Sequence, residues 1–271
     1  MANKEVIVAG DGHFHLYPCF DMARAFSELI RNLDALIEST PVIIPAQERE
    51  IFRLAFLAES AKYDFFHQVT GKQFDGFQIA EGPEVNCLNV NKDGRMQLCL
   101  VAGRQIVTGE KLEILGLGIS EKIPDGVTAE EAIEKILSTG GLPVLPFSPG
   151  KWFFGRGRLA KSLVEKYGQK LIVGDSALRP LGWGEPEIMR LAKGKILPGS
   201  DPLPMPGEEK YAGCCGFVYE GPFDTLTPLA SMKEIIANQP EAIVRAGRRC
   251  SAFNVAGRLL RLRRNGSSRC P

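Results

Sequence analysis

Two of the three histidines in this 271-residue chain, His13 and His15, stand two positions apart directly after the apolar run of residues 6–9. Side chains two positions apart on an extended chain point to the same side. Imidazole nitrogen is a common ligand of divalent metals, so the pair predicts a metal site at the end of a first strand. Two hydrogen-bonded structural histidines at a strand end are the alternative interpretation of the same spacing.

A carboxylate follows the last clear strand pattern, where Asp201 stands among the glycine and prolines of residues 198–202. An aspartate in this position can bind a metal or activate a metal-bound water. It can equally shape a turn by accepting hydrogen bonds from its own backbone. Together with His13 and His15, the pattern favours Asp201 as a third metal ligand.

Residues 147–158 form a predicted loop that combines cations, aromatic rings and glycines. Lys151, Arg156 and Arg158 are of the types that bind carboxylates and phosphates, and glycine lets the backbone come close to such a ligand. Trp152 offers a ring for stacking. We predict that these four residues bind an anionic substrate, and the alternative is a surface loop whose aromatic rings merely cover a rim.

A second acid–base pair occurs in residues 173–180, where Asp175 is followed four positions later by Arg179. Asp175 is a candidate general base or metal-site carboxylate, and Arg179 is a candidate to contact substrate. With Lys151, these two residues are the predicted catalytic groups. A structural ion pair between Asp175 and Arg179 is the alternative.

The elements that must position these groups are indicated by periodicity. Apolar residues at spacings of three and four predict an amphipathic helix over residues 21–37, with Asp21 as its N-terminal cap. Residues 128–137 predict a second helix, because Thr128 is followed by Glu131 in the pattern of a capping box.

Strand, loop and helix patterns repeat from residue 142 onward, which favours a parallel sheet or barrel, with functional groups at the carboxyl ends of its strands. Residues 71–98 alternate turn signals with short apolar runs and predict a small β-rich insertion. The chain is 44% hydrophobic and 24% charged, so we expect a full apolar core.

The formal net charge of +1 argues against a general nucleic-acid role, and no nucleic-acid partner is expected. No apolar run reaches the length of a membrane span. Seven scattered cysteines and the lack of a secretory-signal pattern predict a cytoplasmic protein.

Arginines concentrate near the end of the chain, and residues 241–271 hold eight of them with a single acid. We therefore divide the chain into one α/β domain over 1–240 and a basic C-terminal helix or tail over 241–271. Such a helix can make weak contact with an anionic membrane surface or an acidic partner. The alternative is a helix that packs its leucines on the domain and leaves its arginines in solvent. The oligomeric state stays open.

These segments, in this order, resemble the polymerase-and-histidinol-phosphatase (PHP) family. His13-Phe14-His15 resembles the opening metal motif of that family, and Gly199-Ser200-Asp201 resembles its closing motif. Further similar segments are residues 54–60, 101–105 and 140–149. The resemblance implies an amidohydrolase-like, distorted (β/α)7-type TIM-like barrel with a small β-rich insertion.

The departures from the family pattern imply a partly lost metal site. Glu59-Ser60 stands in place of Asp-His, Gln105 replaces a bridging glutamate, and Phe147-Ser148 lacks a histidine. The resemblance adds Glu59 to the three ligands predicted above, which suffices for one zinc, manganese or iron ion but not for a cluster.

The sequence therefore predicts a metal-dependent hydrolase that acts on a small anionic substrate of the phosphoester type through a water activated by one divalent metal. A catalytically degenerate PHP-like barrel that binds a ligand or serves as a scaffold is the alternative.

Overall fold

The computed structural model describes residues 4–43 and 50–264. The strands within these ranges, in chain order, are β1 (Lys4–Phe14), β2 (Ile51–Leu57), β3 (Glu59–Ser60), β4 (Gln73–Phe74), β5 (Phe77–Glu81), β6 (Cys87–Lys92), β7 (Arg95–Val101), β8 (Gly103–Val107), β9 (Glu113–Leu117), β10 (Leu142–Pro146), β11 (Ile172–Ser176), β12 (Ile196–Gly199), β13 (Cys215–Phe223) and β14 (Val244–Gly247). The α-helices of the same ranges are α1 (Met22–Glu38), α2 (Phe65–Val69), α3 (Ala129–Ser138), α4 (Phe154–Tyr167), α5 (Glu187–Leu191), α6 (Pro228–Asn238) and α7 (Ala252–Arg264).

The strands form two mixed sheets. The larger sheet has eight strands in the order β14-β13-β1-β2-β7-β6-β5-β4, and the smaller has six in the order β12-β11-β10-β9-β8-β3. In the larger sheet β1 is parallel to β2 and antiparallel to β13. In the smaller sheet β10 is parallel to β11 and antiparallel to β9, and β11 is parallel to β12.

Three apolar clusters hold these layers together. The first joins α1 to one face of the larger sheet, because the apolar side of α1 packs on side chains of β1, β2 and the strands from β5 to β7. The second lies between the sheets, and α6 contributes to it. The third joins α3, α4 and α5 to the smaller sheet. Burial of helix stripes against sheet faces therefore accounts for the arrangement of layers.

The predicted TIM-like barrel is wrong. Such a barrel is a closed ring of parallel strands linked by helices, whereas the described residues form two separate sheets with no closed ring. Two features prevent the barrel pattern. Strand β13 pairs antiparallel with β1, and the strands from β4 to β7 pair antiparallel with their chain neighbours. The predicted β-rich insertion is thus an extension of the larger sheet, joined to it through the parallel pair of β2 and β7.

The arginine-rich C-terminal segment is integrated into the fold up to residue 264. Strand β14 pairs with β13 at the edge of the larger sheet. On α7, Val255 and Arg258 are buried, and Leu259 and Leu262 pack against a small apolar cluster. That cluster consists of Leu178, Leu203 and Met205. The helix therefore packs Leu259 and Leu262 on the protein and leaves Leu260 exposed, while β14, which follows the predicted boundary at residue 240, pairs within the larger sheet.

A membrane-spanning helix is absent from the described part of the chain, since none of its helices combines the necessary length and apolar character.

Candidate metal centre

His13, His15 and Asp201 meet at one buried point. The Nε2 atoms of His13 and His15 lie 2.9 Å apart. Asp201 Oδ1 lies 3.7 Å from Nε2 of His13 and 3.5 Å from Nε2 of His15. The three candidate ligand atoms all lie within 4.8 Å of one another, and all three residues are buried. The structure therefore brings together three of the four predicted metal ligands.

The three side chains can meet because β1 and β12 approach each other closely. Two glycines at the contact allow this close approach. A Cβ atom on Gly199 would lie 2.3 Å from the backbone nitrogen of His13, and one on Gly12 would lie 2.8 Å from the carbonyl oxygen of Pro198. Real Cβ atoms do not come so close to backbone atoms, so any other residue would push the two strands apart.

Asp11 ties the two ligand-bearing segments together. Its Oδ1 accepts hydrogen bonds from the backbone N–H groups of His13 (3.0 Å) and Ser200 (2.9 Å). Its Oδ2 accepts a hydrogen bond from the backbone N–H of Gly213 (3.0 Å) and another from the Ser200 hydroxyl. Burial raises the pKa of Asp11, and these hydrogen bonds oppose that effect. We did not predict Asp11, although an acid directly after a buried apolar run is a signal for such a role.

Asp201 has an unusual backbone conformation that fixes its position. Its φ of 48° lies in the left-handed region, which aspartate tolerates better than most residues. Its backbone N–H donates to the carbonyl oxygen of His13 (2.9 Å), and its Oδ2 accepts from the Ser176 hydroxyl (3.3 Å). Burial raises the pKa of Asp201, but the imidazoles of His13 and His15 outweigh this and lower it to about 2. Its carboxylate is therefore charged at neutral pH.

The histidine rings are suited to a cation. Burial lowers the pKa of His13, and the carboxylate of Asp201 opposes that shift. Nδ1 of His13 is buried without a hydrogen-bond partner among the described residues, whereas its Nε2 faces His15. The His15 ring stacks on Tyr17 with centroids 5.2 Å apart. Only one of two facing imidazole nitrogens can donate to the other, while a shared cation accepts a lone pair from both. The donor set therefore fits a divalent metal.

A polar chain leads from His13 to the predicted basic loop. Gln105 Oε1 lies 3.3 Å from Nε2 of His13, and Gln105 Nε2 donates to Glu113 Oε1 (3.4 Å). Glu113 also binds Lys151, with Nζ 2.5 Å from Oε1, and accepts a hydrogen bond from the Ser148 hydroxyl. Lys151 is thus linked to His13 through Glu113 and Gln105. Glu113 was not predicted as a site residue, because the residues next to it in the sequence form no recognisable motif.

Glu59, the fourth predicted metal ligand, lies outside the cluster. Its Oε1 accepts hydrogen bonds from the backbone N–H groups of Phe65 and Phe66 at the start of α2. Its Oε2 pairs with the buried guanidinium of Arg104 at 3.2 Å. Because both carboxylate oxygens have these partners, the structure gives Glu59 a helix-capping and ion-pairing position rather than a place among the ligands.

Asp175 and Arg179 also lie apart from the cluster. Nε and Nη2 of Arg179 donate to Oδ1 and Oδ2 of Asp175 at 2.7 and 2.6 Å, which is a bidentate pair. Adjacent residues in a strand point to opposite faces. Ser176 contacts Asp201, so its neighbour Asp175 points away from the candidate centre. The structural ion pair, our alternative interpretation, is what the structure shows.

The remaining predicted substrate-binding residues are near the start of α4. Trp152 packs edge-to-face on Phe147, with centroids 5.3 Å apart. Arg156 donates to the carbonyl oxygen of Gly150 (3.0 Å), and Arg158 is exposed on α4. The structure thus connects Lys151, but neither arginine, to the polar chain of the centre.

Comparisons with known proteins add information on fold alone. No family model matches the chain. An uncharacterized protein of Methanocaldococcus jannaschii is 48% identical over 52 residues, which are 18% of this chain and 30% of that protein. Among solved structures the chain is similar to PsfC from Pseudomonas syringae, with a TM-score of 0.52 and 13% identity over 97% of this chain and 99% of PsfC. The resemblance to the PHP family stays a prediction.

Proposed function

We propose that the protein is a metal-dependent hydrolase with one divalent ion held by His13, His15 and Asp201. The observation that carries the proposal is the convergence of two imidazole nitrogens and a charged carboxylate at one buried point. Three protein ligands leave room for a water or substrate at the metal, as in catalytic zinc sites. When bound, the ion would lower the pKa of that water and supply a nucleophile at neutral pH.

Lys151 is the residue best placed to bind an anionic substrate. Its ammonium group is held at 2.5 Å from Glu113, and about a quarter of its side chain (27%) stays exposed. Since Glu113 is linked through Gln105 to His13, the position of the ammonium is fixed relative to the ligands. The position of the ammonium supports an anionic substrate, and we propose a small phosphoester because that is the substrate class implied by the resemblance to the PHP family, with Lys151 contacting its charged group.

The proposal assigns no chemical step to Glu59, Asp175 or Arg179. Each of them is engaged in an ion pair away from the three ligands. The proposed ion is zinc, manganese or iron, because imidazole with carboxylate suits all three. A cytoplasmic location remains part of the proposal.

The deciding experiment is elemental analysis of protein purified without chelator, followed by titration of metal-free protein with Zn²⁺, Mn²⁺ and Fe²⁺. We expect one equivalent of metal in the wild type and a loss of at least tenfold in affinity in the His13→Ala/His15→Ala variant. His67→Ala is the matched control, because His67 is exposed and pairs with Asp64 at 2.8 Å, outside the cluster. The rate of p-nitrophenyl phosphate hydrolysis should rise in proportion to the fraction of protein that holds metal.

A folded wild type that binds none of these ions would overturn the hydrolase proposal. The remaining interpretation would then be a ligand-binding or scaffold protein. Metal binding without hydrolysis of any phosphoester would overturn the assigned reaction while leaving the metal site in place.

A further inference from the structure

A polar cavity, which we call the arginine cavity, lies beside the Asp175–Arg179 pair. Its volume is about 410 Å³. Its charged lining residues are Asp175, Arg179, Glu185, Arg245 and Arg249. We propose that this cavity binds a small oxyanion, a ligand that carries a phosphate or carboxylate group, at a site separate from the metal centre.

Strand geometry separates the two sites. Asp175 pairs with Pro198 across β11 and β12, and both residues line the arginine cavity. The next pair is Ser176 with Gly199, and it faces the metal centre, since Ser176 contacts Asp201. Successive side chains in a strand point to opposite faces. The cavity and the centre are therefore back to back on the same two strands.

The charges of the cavity leave an excess of positive charge. Three guanidinium groups face two carboxylates. Arg179 is paired with Asp175, and Arg245 Nη1 lies 2.6 Å from Glu185. Arg249 instead donates to the carbonyl oxygen of Trp183 (3.1 Å). Among the residues that the structure describes, no carboxylate lies within ion-pair distance of Arg249, so a bound anion would supply its missing counter-charge.

One of the two existing ion pairs is easily exchanged for a ligand. The side chains of Arg245 and Glu185 are 44% and 34% exposed, and exposed pairs of this type contribute little stability. Replacing the Glu185 carboxylate by a ligand oxyanion therefore costs little. Guanidinium groups match the planar carboxylate and the phosphate group with two parallel hydrogen bonds, which favours this ligand class.

An aromatic ring stands at the same cavity. Trp183 is 45% exposed and lines the cavity, while its ring lies 6.1 Å from that of Phe153. A partly exposed indole beside arginines can contact the organic part of a bound anion. It also provides a fluorescence signal for binding, because the protein has two tryptophans in all.

The test is a titration of the 271-residue protein with inorganic phosphate and, in a second arm, malonate, at ionic strength held constant with chloride. We expect saturable changes in tryptophan fluorescence and a rise of Tm with ligand concentration. Arg245→Gln/Arg249→Gln should weaken binding at least tenfold, and Trp183→Phe should remove the fluorescence change. The arm with tighter binding identifies phosphate or carboxylate as the group recognised.

Controls separate this site from other effects. Phosphate raises the Tm of many proteins by exclusion from their surfaces, and that effect would be the same in all variants. Arg31→Gln, a change at an exposed side chain of α1, should leave binding unchanged, and so should His13→Ala, which disrupts the candidate metal centre instead. The inference is overturned if neither anion saturates, or if the double arginine variant, folded by circular dichroism, binds as the wild type does. Because His13→Ala is included, this result does not depend on the hydrolase proposal.

Discussion

The backbone N–H of Asp201 donates a hydrogen bond of 2.9 Å to the carbonyl oxygen of His13, while the side chains of the same two residues face each other at 3.7 Å. Two candidate ligands from distant parts of the chain are thus joined by a main-chain hydrogen bond as well as by close approach of their side chains. The geometry of the centre depends on how closely β1 and β12 approach, more than on the freedom of either side chain.

Gly199→Ala tests this dependence. The new methyl group would overlap the backbone of His13, so β1 and β12 must separate. We expect a loss of about 1–3 kcal/mol in the free energy of unfolding, typical of overpacked sites, together with weaker metal binding. Urea unfolding and metal titration measure the two effects. Gly155→Ala is the control, since a Cβ there meets no atom within 4 Å, and equal behaviour of the two variants would contradict the close approach.

Lys151→Gln tests the proposed substrate contact. Removing a charged hydrogen-bond donor should raise KM for a phosphoester by about tenfold, while metal content and kcat change little. Lys161→Gln is the matched control, because the Lys161 side chain is partly exposed (40%) and its ammonium pairs with Glu187 at 2.6 Å rather than with a group of the candidate centre. A change confined to kcat would show that Lys151 acts on the reaction itself and not on substrate binding.

Arg258→Met tests how α7 is attached. The Arg258 guanidinium is buried, lies 2.5 Å from Glu208, and stacks at 4.0 Å on the ring of Tyr211. Removing it leaves a buried charge without its partner, so we expect a loss of about 3–5 kcal/mol in the free energy of unfolding. Adding Glu208→Gln should restore most of the loss, because the neutral amide still accepts from the N–H of Leu203. Urea unfolding of both variants gives the answer, and an unchanged single variant would rule out the ion pair.

Asp64 gives a pH dependence with a defined sign. Burial raises its pKa, but hydrogen bonds from His67 and Arg104 outweigh this and hold it at about 2, below the ordinary 3.8. A carboxyl whose pKa is lower in the folded state stabilises the protein above the ordinary pKa. We therefore expect the stability advantage of wild type over Asp64→Asn to be full at pH 5 and to decline as the pH falls toward 2. Urea unfolding across this range measures it, and a constant difference would disprove the pairing.

Local structure was predictable where a signal lies within one element. The structure confirms Asp21 as the cap of α1, since its side chain accepts from the N–H of Arg24 at 3.0 Å. It also confirms the capping box of α3, in which Thr128 and Glu131 bond to each other's backbone. In both caps the bonded residues are three positions apart, so the local sequence is enough to predict them.

The three residues that meet at the candidate site could be predicted from the sequence, but the residues that hold them in place could not. The unusual types and strand-end positions of His13, His15 and Asp201 mark them without knowledge of the fold. The roles of Asp11 and Glu113 come from contacts between distant segments, and the same is true of strand pairing, which periodicity does not specify. For this reason the barrel was wrong, although the strand at residues 6–9 and the strand and helix pattern from residue 142 to β12 are present in the structure. Strands β13 and β14, which pair at the edge of the larger sheet, were not predicted.

Because α7 packs on the rest of the fold, the order of synthesis determines when the candidate centre can be completed. The two histidines emerge early, the aspartate follows long after them, and the helix whose Arg258 neutralises Glu208 emerges later still. A nascent chain therefore exposes both imidazoles before Asp201 can join them, so under the proposed function loading of the ion is a late event in biogenesis. Fragments that lack α7 would keep His13, His15 and Asp201 yet leave the buried carboxylate of Glu208 without its counter-charge.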